Sequence, residues 1–227
     1  METIEEAAAT EPRRLRADAQ RNRRRLIEAA TELFSERGLD VGVADIAARA
    51  EVGRGTLFRN FPSKEHLIAA IVVERMHESI ARAHAALAAG DPVTALFELI
   101  ESAAQRSLTD RALFDALSDT WLANPEIRAA HSEMLKVIEE LVARAQDTGG
   151  VRCDISAIDI VMLVKGVCES ARHFQHLGDD IIARQLDLVC SAISTEAADR
   201  PLRGRPPTAE DFEQAMACTA AAARRAS

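Results

Sequence analysis

The sequence predicts an all-α protein, and three observations support this prediction. The chain contains no tyrosine and only 4% aromatic residues, whereas alanine and leucine are abundant. Runs in which apolar and polar residues alternate are almost absent, so residues that favour strands are scarce. Apolar residues instead recur every three or four positions between glycine and proline breaks, as in amphipathic helices. The 227 residues, 48% of them hydrophobic, are sufficient for a sizeable packed core.

The charge divides the chain into a basic N-terminal part and an acidic remainder. Residues 11–64 carry twelve Lys and Arg against eight acidic residues, whereas residues 65–227 carry sixteen against twenty-five. The formal net charge of −8 therefore conceals a basic module. Such an asymmetry suits a protein whose basic N-terminal part binds phosphate groups and whose acidic part has a separate role.

Periodicity and helix breakers place the helices in order along the chain. We expect a flexible basic arm over residues 1–16 and a first domain over 17–62 with helices at 17–37, 43–50 and 54–60, the second capped by Asp40. A larger helical domain is expected over 63–198, with Ser63 capping its first helix. Its predicted helices are 64–84, 92–108, 110–122, 125–147, 155–177 and 179–195. Residues 199–227 are expected to form a Pro/Arg-rich linker and a partly disordered terminal helix.

Residues 43–61 have helix-turn-helix spacing, because two short predicted helices flank a break at Glu51-Val52-Gly53. On a helix that begins near Arg54, steps of 100° place Leu57 and Phe61 on the packed side. The other side carries short polar and basic side chains: Thr56, Arg59 and Asn60. Their hydroxyl, guanidinium and amide groups suit base edges in a DNA major groove, although a plain solvated face is the alternative.

Three consecutive stretches in this region read AATELFSERGLD, VADIAARAEVG and RGTLFRNFPSKEHLIAAI. Over about residues 21–70 they resemble the tetracycline-repressor (TetR) family of bacterial transcriptional regulators. The pattern GTL-aromatic-x-x-F-x-x-K/R-E-x-L is specific, since it specifies a recognition helix, its turn and the start of the next helix together. The rest of the chain resembles the family only in architecture, as a helical domain for ligand binding and dimerisation.

The resemblance implies a ligand-responsive transcriptional regulator, expected to repress by binding a palindromic double-stranded DNA operator as a homodimer. A small hydrophobic effector would release the operator, no cofactor is expected, and the location would be cytoplasmic and nucleoid-associated in a bacterium. Carried over by position, the DNA-binding residues are Arg54, Gly55, Thr56, Phe58, Arg59, Asn60 and Lys64, of which Lys64 would grip a phosphate.

Three positions depart from the family pattern. Phe58 stands where tyrosine is usual, so a phenolic hydrogen bond to phosphate is not available. Glu51 stands where glycine is common, so a positive φ there would cost about 1 kcal/mol of strain. Val41-Gly42 replaces a frequent Thr/Ser pair, which removes a hydroxyl contact to phosphate.

Seven arginines lie just before or within the first predicted helix: Arg13, Arg14, Arg16, Arg21, Arg23, Arg24 and Arg25. This density predicts an arm that follows the DNA backbone or enters a minor groove, with Arg21 and Arg24 as candidate contacts. Ordinary charge on a helix surface is the alternative.

The acidic part contains none of the usual catalytic motifs, so we expect no enzyme activity. Cys168, His173 and His176 share a predicted helix but lack a second cluster, so no metal site is expected either. Residues that could line a ligand cavity, or form plain core, are Phe97, Phe114, Trp121, Met134, Met162 and Cys168. No stretch is apolar enough to cross a membrane, and the four cysteines lack metal or disulfide spacing.

The helices predicted over 155–177 and 179–195 carry more apolar surface than the outer helices of a monomer need. In the resembled family two such helices pair with their twofold mates in a dimer. The candidate interface residues are Ile158, Val161, Val164, Ile181, Leu186 and Val189, and the alternative is that they complete the monomer's own core. Two rival functions remain: a helical carrier or enzyme with an incidental helix-turn-helix, and an architectural DNA-binding protein without a ligand.

Overall fold

The computed structural model describes the backbone of residues 3–109, 124–173, 180–197, 200–211 and 214. These residues form the predicted all-α fold, with an isolated β-bridge between Val151 and Ser194. The helices are α1 (Thr3–Arg37), α2 (Val43–Arg49), α3 (Arg54–Asn60), α4 (Lys64–Leu87), α5 (Pro92–Thr109), α6 (Pro125–Asp147), α7 (Ala157–His173) and α8 (Asp180–Ile193), followed by a 3-10 turn at Thr195–Ala197. The helix predicted over 110–122 lies outside the described residues. None of the helices described is both long and apolar enough to span a membrane.

Helix α1 corrects one predicted boundary, because it begins at Thr3 and not near residue 17. Its end agrees with the sequence: Gly38 adopts a φ of 76°, and its N–H donates to the carbonyl of Phe34 at 2.9 Å. Glycine is favoured at this position because residues with a side chain rarely adopt a positive φ.

The start of α2 corrects a second prediction, since Gly42 and not Asp40 is the N-cap and provides no side-chain hydrogen bond. The helix is instead tied to α1 by charge. Arg49 donates to Glu32 at 3.0 Å and to Glu36 at 3.1 Å. Helix α4 starts as predicted, with the N–H of His66 directed at the Ser63 hydroxyl at 3.5 Å.

The described residues up to Val72 form one compact unit. Helices α1, α2, α3 and the first turns of α4 contribute its core. The side chains that are almost completely buried there are Leu26, Leu33, Phe34, Ile46, Leu57, Phe61, Leu67 and Ile71. These apolar side chains fix the position of a short α3, which has only seven residues and could not be stable alone.

The described residues from Val73 onward form a second unit. Its core lies among α5, α6, α7 and α8, with Leu96, Ile100, Leu141 and Leu186 among its most buried side chains. The connection from α6 to α7 passes through Gly149, at a φ of 75°, and Gly150. A Cβ added at Gly150 would lie 2.5 Å from Cγ2 of Val93, so this close approach requires glycine.

Residues 200–211 pack against the α6–α7 connection through polar contacts. Asp154 accepts the N–H of Leu202 at 2.7 Å, and Ser156 donates to the carbonyl of Pro207 at 3.0 Å. The Arg152 guanidinium donates to the two carboxylate oxygens of Asp154 at 2.5 and 2.9 Å, and it also donates to the carbonyl of Arg200 at 3.0 Å. We call Arg152, Asp154 and Ser156 the polar clasp.

The clasp predicts acid-sensitive stability. The hydrogen bond from Arg152, and then that from the Leu202 N–H, hold the pKa of Asp154 far below its usual range. Because the pKa of Asp154 is lower in the folded chain than in the unfolded chain, its ionised carboxylate stabilises the fold fully above about pH 5. This contribution is lost as the pH falls towards the pKa of the folded state. Asp154→Asn should therefore lower Tm at pH 7 and lose less Tm than the wild type between pH 5 and pH 3. Differential scanning fluorimetry measures Tm at each pH, and Asp187→Asn, at an exposed position, is the control. Equal loss of Tm in acid for Asp154→Asn and the wild type would contradict the role of Asp154 in the polar clasp.

Candidate DNA-binding interface

Helix α3, the predicted recognition helix, is oriented by two buried side chains. Leu57 and Phe61 are each 1% exposed and pack into the core of the N-terminal unit, as predicted. The exposed surface of α3 carries Gly55, Phe58 and Arg59, and Arg54 is exposed at the first position of the helix. Phe58 is 46% exposed, which is unusual for a phenylalanine and provides an apolar contact surface beside two arginines.

Thr56 and Asn60 lie at the edges of this surface and are half-buried, so they project less than predicted. The Asn60 side-chain amide donates to the Thr56 carbonyl at 2.8 Å. Arg59 donates through Nε to the Gly55 carbonyl at 3.2 Å and through Nη2 to Thr56 Oγ1 at 3.1 Å. The side chains of Thr56, Arg59 and Asn60 are therefore engaged with their own helix, and contact with a base edge would require them to exchange these partners.

The turn before α3 contains the predicted strained residue. Glu51 has a φ of 53°, in the left-handed region that favours glycine. Its carboxylate accepts a hydrogen bond from Arg25 at 2.7 Å. The turn is thus tied to α1 by an ion pair that the sequence did not indicate.

Lys64 makes contacts within the protein in addition to its expected role at phosphate. Its ammonium group donates to the carbonyl of Leu39 and lies 5.8 Å from the centre of the Phe34 ring. The side chain therefore joins the start of α4 to the end of α1. Removing it is expected to affect local packing as well as charge.

Four arginines of the basic cluster on α1 have described side chains, and they fall into two pairs. Arg21 is paired with Asp18, and Arg24 with Glu28 at 2.9 Å, both along their own helix. Arg23 and Arg25 instead reach other segments. The Arg23 guanidinium lies 4.5 Å from the centre of the Phe61 ring and donates to the Asn60 carbonyl at 3.5 Å. Arg13, Arg14 and Arg16 lie on α1.

Comparison with known proteins assigns the family. The model of the N-terminal domain of bacterial regulatory proteins of the tetR family matches residues 26–71, and that of the C-terminal domain of SbtR-like transcriptional regulators matches residues 91–194. The regulator UidR of Escherichia coli K12 is 30% identical over 147 residues, which cover 63% of this chain and 75% of UidR. The chain belongs to the TetR family. It is a helix-turn-helix transcriptional regulator, and members of this family are typically ligand-responsive repressors.

Solved structures agree with this assignment. A TetR regulatory protein from Mycobacterium vanbaalenii is 32% identical, with a TM-score of 0.60, and the match covers 80% of this chain and 99% of that protein. RolR, which was solved with its ligand resorcinol, is 21% identical with a TM-score of 0.53, and the match covers 83% of this chain and 98% of RolR. At that identity the likeness to RolR concerns the fold alone.

The candidate ligand-lining residues of this TetR-family chain do not all lie together. Phe97 and Met134 are half-buried, and Phe97 packs against the core of the second unit. Cys168 is 2% exposed, with its thiol 3.8 Å from the Ala104 carbonyl, so it is a core residue. Met162 is 57% exposed, which corrects the expectation that it lines an interior cavity. Phe114 and Trp121 lie outside the described residues.

His131 on α6 is a titratable group in the second unit that the sequence did not single out. Burial, and to a smaller extent the positive charge of Lys165 on α7, together lower the pKa of His131 to about 4. The imidazole is therefore neutral at pH 7. Within the described part of the chain, no group of three or more His, Cys, Asp or Glu residues is arranged to hold a metal ion.

Four of the six candidate interface residues belong to the core of their own chain. Ile158, Val164, Leu186 and Val189 are each at most 9% exposed, as in the alternative that they complete the monomer. Val161 and Ile181 are half-buried. The large apolar side chains that α7 and α8 expose are different ones: Met162, Leu163 and Leu188.

Proposed function

We propose that this regulator binds a palindromic DNA operator as a homodimer and releases it when a small hydrophobic effector binds the second unit. The exposed surface of α3 carries the proposal, because Phe58 and Arg59 are exposed on a helix that buries Leu57, and Arg54 is exposed at its first position. Arginine forks suit guanine and phosphate, and the Phe58 ring suits a thymine methyl. We also propose a cytoplasmic location and no catalytic activity, in line with the family.

The homodimer is proposed from the apolar surface of α7 and α8. Met162 and Leu188 are 57% and 54% exposed, and Leu163 lies next to Met162. Half-buried Val161 and Ile181 extend the same two helices. Exposed apolar side chains on adjacent elements of a soluble chain mark an association surface, and a twofold interface buries the same residues on both copies.

The DNA-binding part is tested by selection from a pool of random duplexes with the full chain. We expect enrichment of one sequence with two inverted half-sites, about 10 base pairs or a multiple apart. Enrichment of a sequence without inverted symmetry would contradict a twofold complex. Binding that enriches no sequence would favour an architectural DNA-binding protein.

The homodimer is tested by charge placed on the exposed surface. Met162→Glu and Leu188→Glu should each shift the chain from dimer to monomer in analytical ultracentrifugation, because burying an unpaired carboxylate is costly. Leu202→Glu is the matched control, since Leu202 is 49% exposed on the C-terminal segment. Dimers that survive both substitutions on α7 and α8 would place the interface elsewhere.

The effector is sought by a thermal-shift screen of small hydrophobic compounds. A compound at 100 times its Kd should stabilise the folded chain by about 2.7 kcal/mol. The same compound should weaken binding of the selected duplex. A compound that stabilises the chain without any effect on DNA binding would contradict its role as the effector.

A further inference from the structure

We infer that Arg23 and Arg25 of α1 are positioning residues that brace the recognition helix at its two ends and thereby set DNA sequence discrimination. This inference rests on the proposed operator binding and goes beyond it, since it gives two arginines of a dense basic cluster a role other than contact with phosphate. The four described arginines of this cluster are close in sequence, but their contacts differ.

Arg23 braces the C-terminal end of α3. Its guanidinium donates to the carbonyl of Asn60, the last residue of the helix, at 3.5 Å. Carbonyls in the last turn of a helix have no partner within the helix, and a cation near them is favourable. The same guanidinium lies 4.5 Å from the centre of the Phe61 ring, the residue at which the chain leaves α3. Arg23 therefore contacts both the last residue of α3 and the residue that follows it, and these two residues set the orientation of Asn60.

Arg25 braces the other end. It donates to the carboxylate of Glu51 at 2.7 Å, two residues before the Gly53 cap of α3. Glu51 holds a φ of 53°, so the turn adopts a conformation that its side chain disfavours. The ion pair with α1 is a contact that favours this conformation of the turn.

The periodicity of α1 explains why Arg23 behaves differently from Arg24. Arg23 lies three residues before Leu26 and seven before Ala30, both buried, so all three share the side of α1 that faces the core. Arg24 is rotated by 100° from Arg23 and pairs with Glu28 on its own helix. Arg24 is thus a matched control, with the same side chain on the same helix but without contact to α3.

Two hypotheses for the role of Arg23, a phosphate contact and a brace of α3, predict different effects of its loss on DNA binding. A phosphate contact would contribute equally on all duplexes, and its loss would flatten the salt dependence of binding by about 0.9 per contact. A brace would instead change the ratio of specific to non-specific affinity and leave the salt slope unchanged. Because an exposed cation–aromatic contact is weak, the change should be about two- to fivefold per half-site.

The experiment compares a duplex selected by the wild-type chain with a scrambled duplex, by fluorescence anisotropy over a range of salt. Arg23→Lys keeps the charge but loses the planar guanidinium, so we expect a lower ratio of affinities. Arg23→Gln should lower the ratio similarly while keeping the wild-type salt slope. Arg24→Gln should leave the ratio unchanged but flatten the salt slope, as its candidate contact with phosphate implies. Arg82→Gln, on the exposed side of α4, is the control that should change neither. Circular dichroism confirms that each variant is folded.

Arg25 is tested by exchanging the two charges. Arg25→Glu and Glu51→Arg should each lower the ratio of affinities, and the double variant should recover part of it, because the ion pair is restored in reverse. A double variant that is no better than the sum of the single variants would overturn the role of Arg25. An unchanged ratio in Arg23→Lys, or a flatter slope in Arg23→Gln, would overturn that of Arg23. A wild-type chain that selects no sequence would instead overturn the proposed function.

Discussion

Leu57→Ala is expected to destabilise the N-terminal unit by about 2–5 kcal/mol and to abolish specific DNA binding with it. Leu57 is 1% exposed and is the buried residue within the seven-residue α3. Truncation to alanine removes its apolar contacts and leaves a cavity that the small surrounding core fills only in part. A loss of this size is a large fraction of the stability of a small domain.

The measurement is hydrogen exchange resolved by peptide. Protection should fall across residues 43–61 in Leu57→Ala, while peptides of the second unit keep their protection if the two units unfold separately. Leu202→Ala, at an exposed position, is the control and should change neither protection nor DNA binding. Normal protection in Leu57→Ala would mean that α3 does not depend on this core contact.

Arg59→Ala is expected to cause the largest loss of sequence discrimination. A base-reading contact is worth about 1–3 kcal/mol, and a twofold complex repeats it, so the total loss would be about 2–6 kcal/mol. Arg59 is exposed on the side of α3 that lies opposite Leu57, and it holds Thr56 Oγ1 at 3.1 Å. Its removal therefore deletes one guanidinium and releases a hydroxyl at the same surface.

The test is competition between the selected and the scrambled duplex at fixed salt. Asn60→Ala and Thr56→Ala should also lose discrimination, whereas Lys64→Ala should weaken binding evenly across sequences and lower Tm, since Lys64 also donates to Leu39. Arg82→Ala, on the exposed side of α4, is the control for loss of one arginine. A wild-type ratio in both Arg59→Ala and Asn60→Ala would show that this side of α3 does not enter the groove.

Local signals in the sequence were sufficient for the helix-turn-helix segment. Gly38 ends α1 as predicted, and the 100° steps correctly placed Leu57 and Phe61 in the core. These features depend on backbone conformation and on neighbours a few residues away, which a sequence displays directly. The strain at Glu51 was expected only from the family pattern, in which glycine is common at that position.

Contacts between distant residues could not be predicted in the same way. Periodicity identifies apolar surface on α7 and α8, but the core of one chain and an interface between chains select the same residue types. It therefore could not separate buried Val164 from exposed Met162. Likewise, a run of arginines gives no sign of which members pair along their helix and which reach α3.

The polar clasp has a practical consequence for anyone who shortens this protein. The sequence predicts a Pro/Arg-rich linker and a partly disordered terminal helix over residues 199–227, which invites a cut after residue 198. Cutting there would remove the Leu202 N–H from Asp154 and the Pro207 carbonyl from Ser156. It would also remove Asp211, which holds Arg205 at 2.5 and 2.7 Å and accepts the Thr208 N–H at 2.8 Å. A truncated version for crystallisation or biosensor use should therefore end beyond Asp211.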